Sequence, residues 1–131
     1  MISGLYAAVL ALIQIKLTLD VVGIRRGQKI SIGNGGREDL ERKMRVHGNF
    51  IETVPIALLL MLIAELSGSP LWCIHILGLM MVGGRIAHAI GLNSKTGHGK
   101  FRFYGMVTTV TVIVLGAFLC LWLAWPVLFA A

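Results

Sequence analysis

Charge is scarce in this chain, and acidic charge scarcest: Asp and Glu supply 6 of its 131 residues against 12 Lys and Arg, while 56% of the sequence is hydrophobic. So apolar a composition excludes an ordinary soluble domain, and the length leaves room for only one domain. Cysteine is nearly missing. Cys73 and Cys120 lie inside apolar runs with no second cysteine at metal or redox spacing, so both read as small buried hydrophobes and no metal site is expected. Gly33-Asn34-Gly35-Gly36 lacks a preceding strand and a following Walker lysine, which makes it a loop and not a phosphate cradle. Internal repeats, low-complexity tracts and heptads beyond those of membrane helices are also missing.

What is present is a set of four apolar runs, at about 2–24, 45–66, 71–92 and 101–125. Each is long enough, at about 1.5 Å per residue, to cross a hydrocarbon core of about 30 Å. The expected fold class is therefore all-α, an integral membrane four-helix bundle formed by a single domain. Arg25, Arg26 and Lys29 follow the first run instead of preceding it, the wrong order for a cleavable signal peptide. Residues 25–43 read as a connector rich in glycine and charge, with Glu38, Asp39 and Glu41 suited to the first turns of a helix. Only Ser67-Gly68-Ser69-Pro70 parts the second and third runs, so these form a tight antiparallel hairpin. A polar loop spans 93–100. Trp72, Trp122 and Trp125 suit an interfacial aromatic belt.

The net charge of +6 is concentrated in two short segments between apolar runs. That distribution argues for a cytoplasmic bias and against nucleic acid as a partner. Both basic loops are then cytoplasmic, and both termini lie on the opposite, non-cytoplasmic side.

Polar groups inside apolar runs are expensive and mark a site by default. On a helix turning about 100° per residue, Arg45, Asn49 and Glu52 fall within roughly 60° of arc, with Gly48 beside them and His47 nearly opposite. His47 is therefore read as facing another helix or the headgroups. Pro55, just beyond the stripe, frees the carbonyl of Ile51. Arg85 and His88 share a face of the third span, next to the small pair Gly83-Gly84. Arg102 and Tyr104 open the fourth span, and Lys16 and Asp20 stand four residues apart in the first. That last pair either neutralises itself or serves a ligand, and Arg102 alone either snorkels or acts in the site. Counted from the helix ends, all of these lie within about 12 Å of one membrane surface. The layer holds more cations than anions, so an anionic ligand completes it, and a cation exporter is disfavoured. Glu65 and His75 fall near the far surface and read as interfacial.

The pattern Glu41-Arg42-x-x-Arg45-x-His47-x-Asn49-x-x-Glu52-x-x-Pro55 resembles the second-helix motif of the MAPEG family, the membrane-associated proteins in eicosanoid and glutathione metabolism. Gly84-Arg85-x-x-His88 resembles a third-helix motif of the same family, and Arg102 falls close to its fourth-helix arginine. The likeness spans nearly the whole chain and is strongest toward a small bacterial inner-membrane branch. It implies a bacterial inner-membrane homotrimer that binds glutathione between subunits near the cytoplasmic face. It assigns glutathione binding to Arg45, Asn49, Glu52, Arg85, His88 and Arg102, with Arg25 or Arg26 a looser match. Arg102 is the expected thiolate activator, because a thiol with a reference pKa of about 8.5 needs a nearby cation to ionise at neutral pH. The implied activity is a glutathione transferase or peroxidase acting on a lipophilic small molecule or lipid from the bilayer. The alternative is a non-catalytic lipid-binding or interaction protein on the same scaffold. Three positions depart from the prostaglandin synthase pattern of the family: Gly48 stands in place of an arginine, Leu92 of a tyrosine and Phe103 of a serine. Tyr104 either supplies the missing hydroxyl or anchors the helix at the interface.

Overall fold

The structure, a computed structural model, describes residues 1–93 and 99–128. They form four helices, α1 (Ile2–Gln28), α2 (Glu38–Leu66), α3 (Leu71–Asn93) and α4 (Gly99–Leu128), each long and apolar enough to cross a membrane. There is no strand among the described residues. Most of the polar loop expected over 93–100 falls on residues 94–98, outside the described ones.

Both helices flanking the first connector reach further than the apolar runs alone suggest. α1 continues through Arg25 and Arg26 and stops where Lys29 turns left-handed (φ 55°), its N–H reaching back to the carbonyls of Arg25 and Arg26. α2 starts at Glu38, where Glu38, Asp39 and Glu41 place three carboxylates in the first turn against the positive end of the helix dipole. The helix then runs unbroken through Pro55. Its buried residues are Leu40 and then Val46, Phe50, Val54, Ala57, Met61 and Ala64, which from Val46 on follow a three-and-four spacing that lays one face on the bundle interior.

Side-chain pairs fix the register between helices. α1 and α2 run antiparallel, with Ser3 meeting Glu65 at one end, Thr18 bonding His47 at 3.1 Å, and Asp20 accepting from Lys16 at 2.8 Å and Lys43 at 3.1 Å toward the other. His47 thus serves the α1–α2 seam. Asp20 is shared by two lysines from two helices, so it binds α1 to α2 in addition to neutralising its own helix. Gly68, at φ 87°, supplies the backbone conformation that turns α2 back into α3.

α3 and α4 approach most closely, because glycines remove the side chains between them. A β-carbon on Gly105 would sit 2.5 Å from the amide nitrogen of His88 and 2.6 Å from the carbonyl oxygen of Gly84, while one on Gly91 would collide with the backbone of Arg102. These contacts set Gly91 opposite Arg102, His88 opposite Gly105, and Gly84 opposite Thr108. The main chain of α4 is therefore pressed against α3 where the polar residues of both helices lie. In a bilayer, such packing and interhelical hydrogen bonds must hold helices together, since lipid tails are as apolar as the core.

At the opposite end, the Tyr6 ring lies over Gly78, where no side chain intervenes, and its hydroxyl is 3.0 Å from Nδ1 of His75. Glu65 accepts hydrogen bonds from the Ile2 and Ser3 backbone and the Ser3 hydroxyl. α1 has no side-chain cap of its own, so α2 provides one. Glu65 and His75 are thus committed to helix contacts.

Candidate functional site

The polar stripe of α2 lies off its buried face. Arg45 and Glu52 are exposed and Asn49 is half-buried, whereas Val46 and Phe50 on the adjoining face are enclosed. Two clefts open along this stripe. The first, about 520 Å³, lies between α2 and the glycine-rich loop and is lined by Gly33, Asn34, Glu41, Met44, Arg45, Gly48, Asn49 and Glu52. The second, about 410 Å³, lies toward α4 and is lined by Asn49, His88, Gly99, Arg102, Phe103 and Met106. Asn49 borders both. Through it Arg45 and Glu52 on α2, His88 on α3 and Arg102 on α4 border two adjoining clefts, while Arg85 stays buried behind them.

Local hydrogen bonds hold this surface in shape. The Asn49 amide donates to the Arg45 carbonyl at 3.1 Å, and the Thr53 hydroxyl donates to the Asn49 carbonyl at 2.7 Å, both stepping back one helical turn. Nδ1 of His88 lies 3.2 Å from the Arg102 carbonyl, so it is the protonated nitrogen of the ring. Nε2 is then an acceptor while the imidazole is neutral and becomes a donor on protonation. The exposed Arg102 side chain lines the second cleft above this link.

Arg85 is the anomaly. Its side chain is 1% exposed, and none of its three guanidinium nitrogens finds a hydrogen-bond partner among the described residues, nor does Nε2 of His88. The guanidinium carbon lies 5.4 Å from the centroid of the Phe50 ring. A desolvated cation–π contact contributes about 2 kcal/mol. A charge at the centre of a membrane helix costs about 2.5–3.5 kcal/mol on the insertion scale, and unmade donors add to that cost. The aromatic ring alone does not offset the burial, and an anion within reach of Arg85 and His88 would.

Two expected participants stand elsewhere or alter the electrostatics. Arg25 donates to the Ser31 carbonyl at 2.9 Å and to the Met44 sulfur at 3.6 Å, which clips the connector to α2 and keeps Arg25 out of both clefts. Arg45 donates to Glu41 at 3.3 Å and is partly neutralised. Phe50, Glu41 and Asn34 join the site without having been singled out for it. Glu41 carried a signal, since it stands four residues before Arg45, whereas Asn34 reaches α2 only through the fold of its loop.

The departures also have places. A β-carbon on Gly48 would meet nothing within 4 Å, so this position adds open space to the first cleft. Phe103 lines the second cleft with an apolar ring, 5.6 Å from that of Tyr104. Leu92 packs against the hydrophobic core. Among the described residues, no group of three or more His, Cys, Asp or Glu side chains could hold a metal ion.

Four membrane-length helices with this polar layer define the class, and comparison of the chain with known families agrees: residues 3–122 match the MAPEG family, to which the chain belongs. It is similar to the inner membrane protein YecN of Escherichia coli K12, with 35% identity over 131 residues covering 99% of this chain and 98% of that protein. The protein of the same name from Escherichia coli O6:H1 is similar to the same degree. The chain is thus a multi-pass membrane protein of a family that includes glutathione-dependent enzymes.

Proposed function

We propose that this protein binds glutathione in the paired clefts and uses its thiolate against a lipophilic electrophile or hydroperoxide that enters from the bilayer. The observation that carries this reading is the second cleft, where His88, whose Nε2 has no partner among the described residues, meets Arg102 and Asn49, with the buried and unpartnered guanidinium of Arg85 one turn away on the same helix. Glutathione fits the donor set as a substrate: two carboxylates for the cations, an ammonium for Glu52, and a thiol for Arg102. Arg102 is permanently charged and solvent-accessible, so it stabilises the thiolate over the thiol. The S–H proton passes to water, and the sulfur forms a C–S bond with the electrophile while the displaced electron pair leaves with the leaving group or is protonated by water. With a hydroperoxide the sulfur attacks the O–O bond, giving an alcohol and a glutathione sulfenic acid, which a second glutathione converts to the disulfide and water.

The outward-facing α2 stripe supports assembly as a homotrimer, because exposed Arg45 and Glu52 need cover from lipid that a second copy provides. Likeness to an inner membrane protein supports the same location for this chain. The basic connectors support an orientation with both termini on the non-cytoplasmic side, for which a C-terminal alkaline phosphatase fusion should be active; an inactive, stably expressed fusion would reverse the topology. A second reading, non-catalytic ligand or lipid binding, is favoured by Phe103, which puts an apolar ring beside Arg102.

Millimolar glutathione should raise the thermal stability of the detergent-solubilised protein and produce thiolate absorbance in the near ultraviolet. Arg102→Ala should abolish the absorbance and leave much of the stabilisation. Absence of both signals in the wild-type protein removes glutathione from the reading. Stabilisation without absorbance selects the non-catalytic alternative.

A further inference from the structure

The two clefts that meet at Asn49 differ in charge. Among the described residues, the α4 side presents Arg102 and His88 with no carboxylate, while the loop side presents Glu41 and Glu52 against one cation, Arg45. Arg45 is in turn engaged by Glu41 at 3.3 Å. The loop-side cleft therefore carries a surplus of negative charge, and Gly48, with no atom within 4 Å of where a β-carbon would be, brings no cation to reverse it.

Glu41 sits at the centre of this arrangement. One carboxylate oxygen takes Arg45 and the other takes the side-chain amide of Asn34, whose own oxygen accepts the N–H of Gly36 at 3.0 Å. The glycine-rich loop is thereby tied to α2 and forms a wall of the cleft, with Asn34 and Gly33 facing the stripe. Gly33, Gly35 and Gly36 all have positive φ, the conformation this turn requires. A loop bound this way through a carboxylate sets the cleft's polarity as well as its shape.

We infer that the loop-side cleft selects ligands by a cationic end: Glu41, together with Glu52, receives an ammonium group, and Glu41 is a specificity-determining residue of the site. This rests on the glutathione reading above and extends it. Of the polar ends of the tripeptide, the ammonium belongs beside Glu41, Glu52 and Gly48, and at least one carboxylate belongs on the Arg102 and His88 side. The ligand class is a dipolar thiol, not a purely anionic one.

The test compares glutathione with glutaryl-cysteinyl-glycine, the same molecule with its ammonium removed, by competition binding to the full-length protein in detergent. Wild type should prefer glutathione. Glu41→Gln keeps an acceptor for Asn34 and removes the charge, so the preference should fall by about fivefold, the range of a partly exposed ion pair. Gly48→Lys, whose β-carbon meets nothing within 4 Å, should reduce the preference in the same direction by adding a competing ammonium. Asn34→Ala should weaken both ligands equally and leave their ratio unchanged. A wild-type protein that binds the two equally, or a ratio unmoved by both Glu41→Gln and Gly48→Lys, overturns the assignment while leaving glutathione binding intact. Failure of wild type to bind either ligand overturns the glutathione reading itself, and this inference with it.

Discussion

The carboxylate of Glu65, near the end of α2, accepts both the backbone N–H of Ser3 at 2.8 Å and its hydroxyl at 2.5 Å, so the start of α1 is held by a residue 62 positions away. The N-terminal amine lies 4.0 Å from the other oxygen of the same group. A carboxylate at this point satisfies donors that the first turn of a helix leaves open, and its charge complements the helix dipole.

Glu65→Ala should accordingly free the α1 N-terminus without reaching the polar layer at the far end of the bundle. The expected result is a thermal midpoint lower by roughly a few degrees, with ligand affinity unchanged. Ser3→Ala should show a smaller loss, since the backbone N–H bond persists. Equal loss of ligand binding in Glu65→Ala would show that the two ends are coupled, contrary to this separation.

Arg85 invites the opposite experiment. Its burial against Phe50 leaves a cation with unmade hydrogen bonds, so Arg85→Met, similar in volume and uncharged, should stabilise the ligand-free protein by up to about 3 kcal/mol. The same substitution should abolish stabilisation by glutathione. Thermal melts with and without ligand measure both effects. A variant that loses stability in both states would mean that Arg85 is already paired in the assembled protein.

Gly105 tests the α3–α4 contact. Valine there must displace the backbone of His88 or Gly84, at a cost of about 1–3 kcal/mol from overpacking. Because Nδ1 of His88 bonds the Arg102 carbonyl, the displacement should also weaken glutathione binding and the thiolate signal. Gly83→Ala, at a position with open space around it, is the matched control and should do neither. Spectroscopic titration of the two variants side by side is the measurement.

Much of this molecule is legible from residue spacing alone. Four long apolar runs dictate four helices, and a turn of about 100° per residue puts Arg45, Asn49 and Glu52 on one stripe and sends His47 to the other side, where it meets Thr18. Arg85 and His88 share a face for the same reason. What spacing does not carry is pairing between distant segments. Glu65 looks like an interfacial charge until the start of α1 arrives beside it, and Arg25 looks available to a ligand until the connector folds back over it. Phe50 belongs to an ordinary apolar stripe, and only the approach of α3 places a guanidinium over its ring. Glycines are the least legible, because their effect depends on which neighbour fills the space.

The glycine contacts between α3 and α4 bear on what can vary in this chain. With Gly91 pressed on Arg102 and Gly105 on His88, neither helix can slide or rotate against the other without forcing main-chain atoms into the space of main-chain atoms. The two segments thus act as a vernier with a single permitted setting, and it fixes where Arg102 enters the site. An insertion or deletion inside either helix would break that setting. Gly84, Gly91 and Gly105 should therefore stay small wherever that setting is kept.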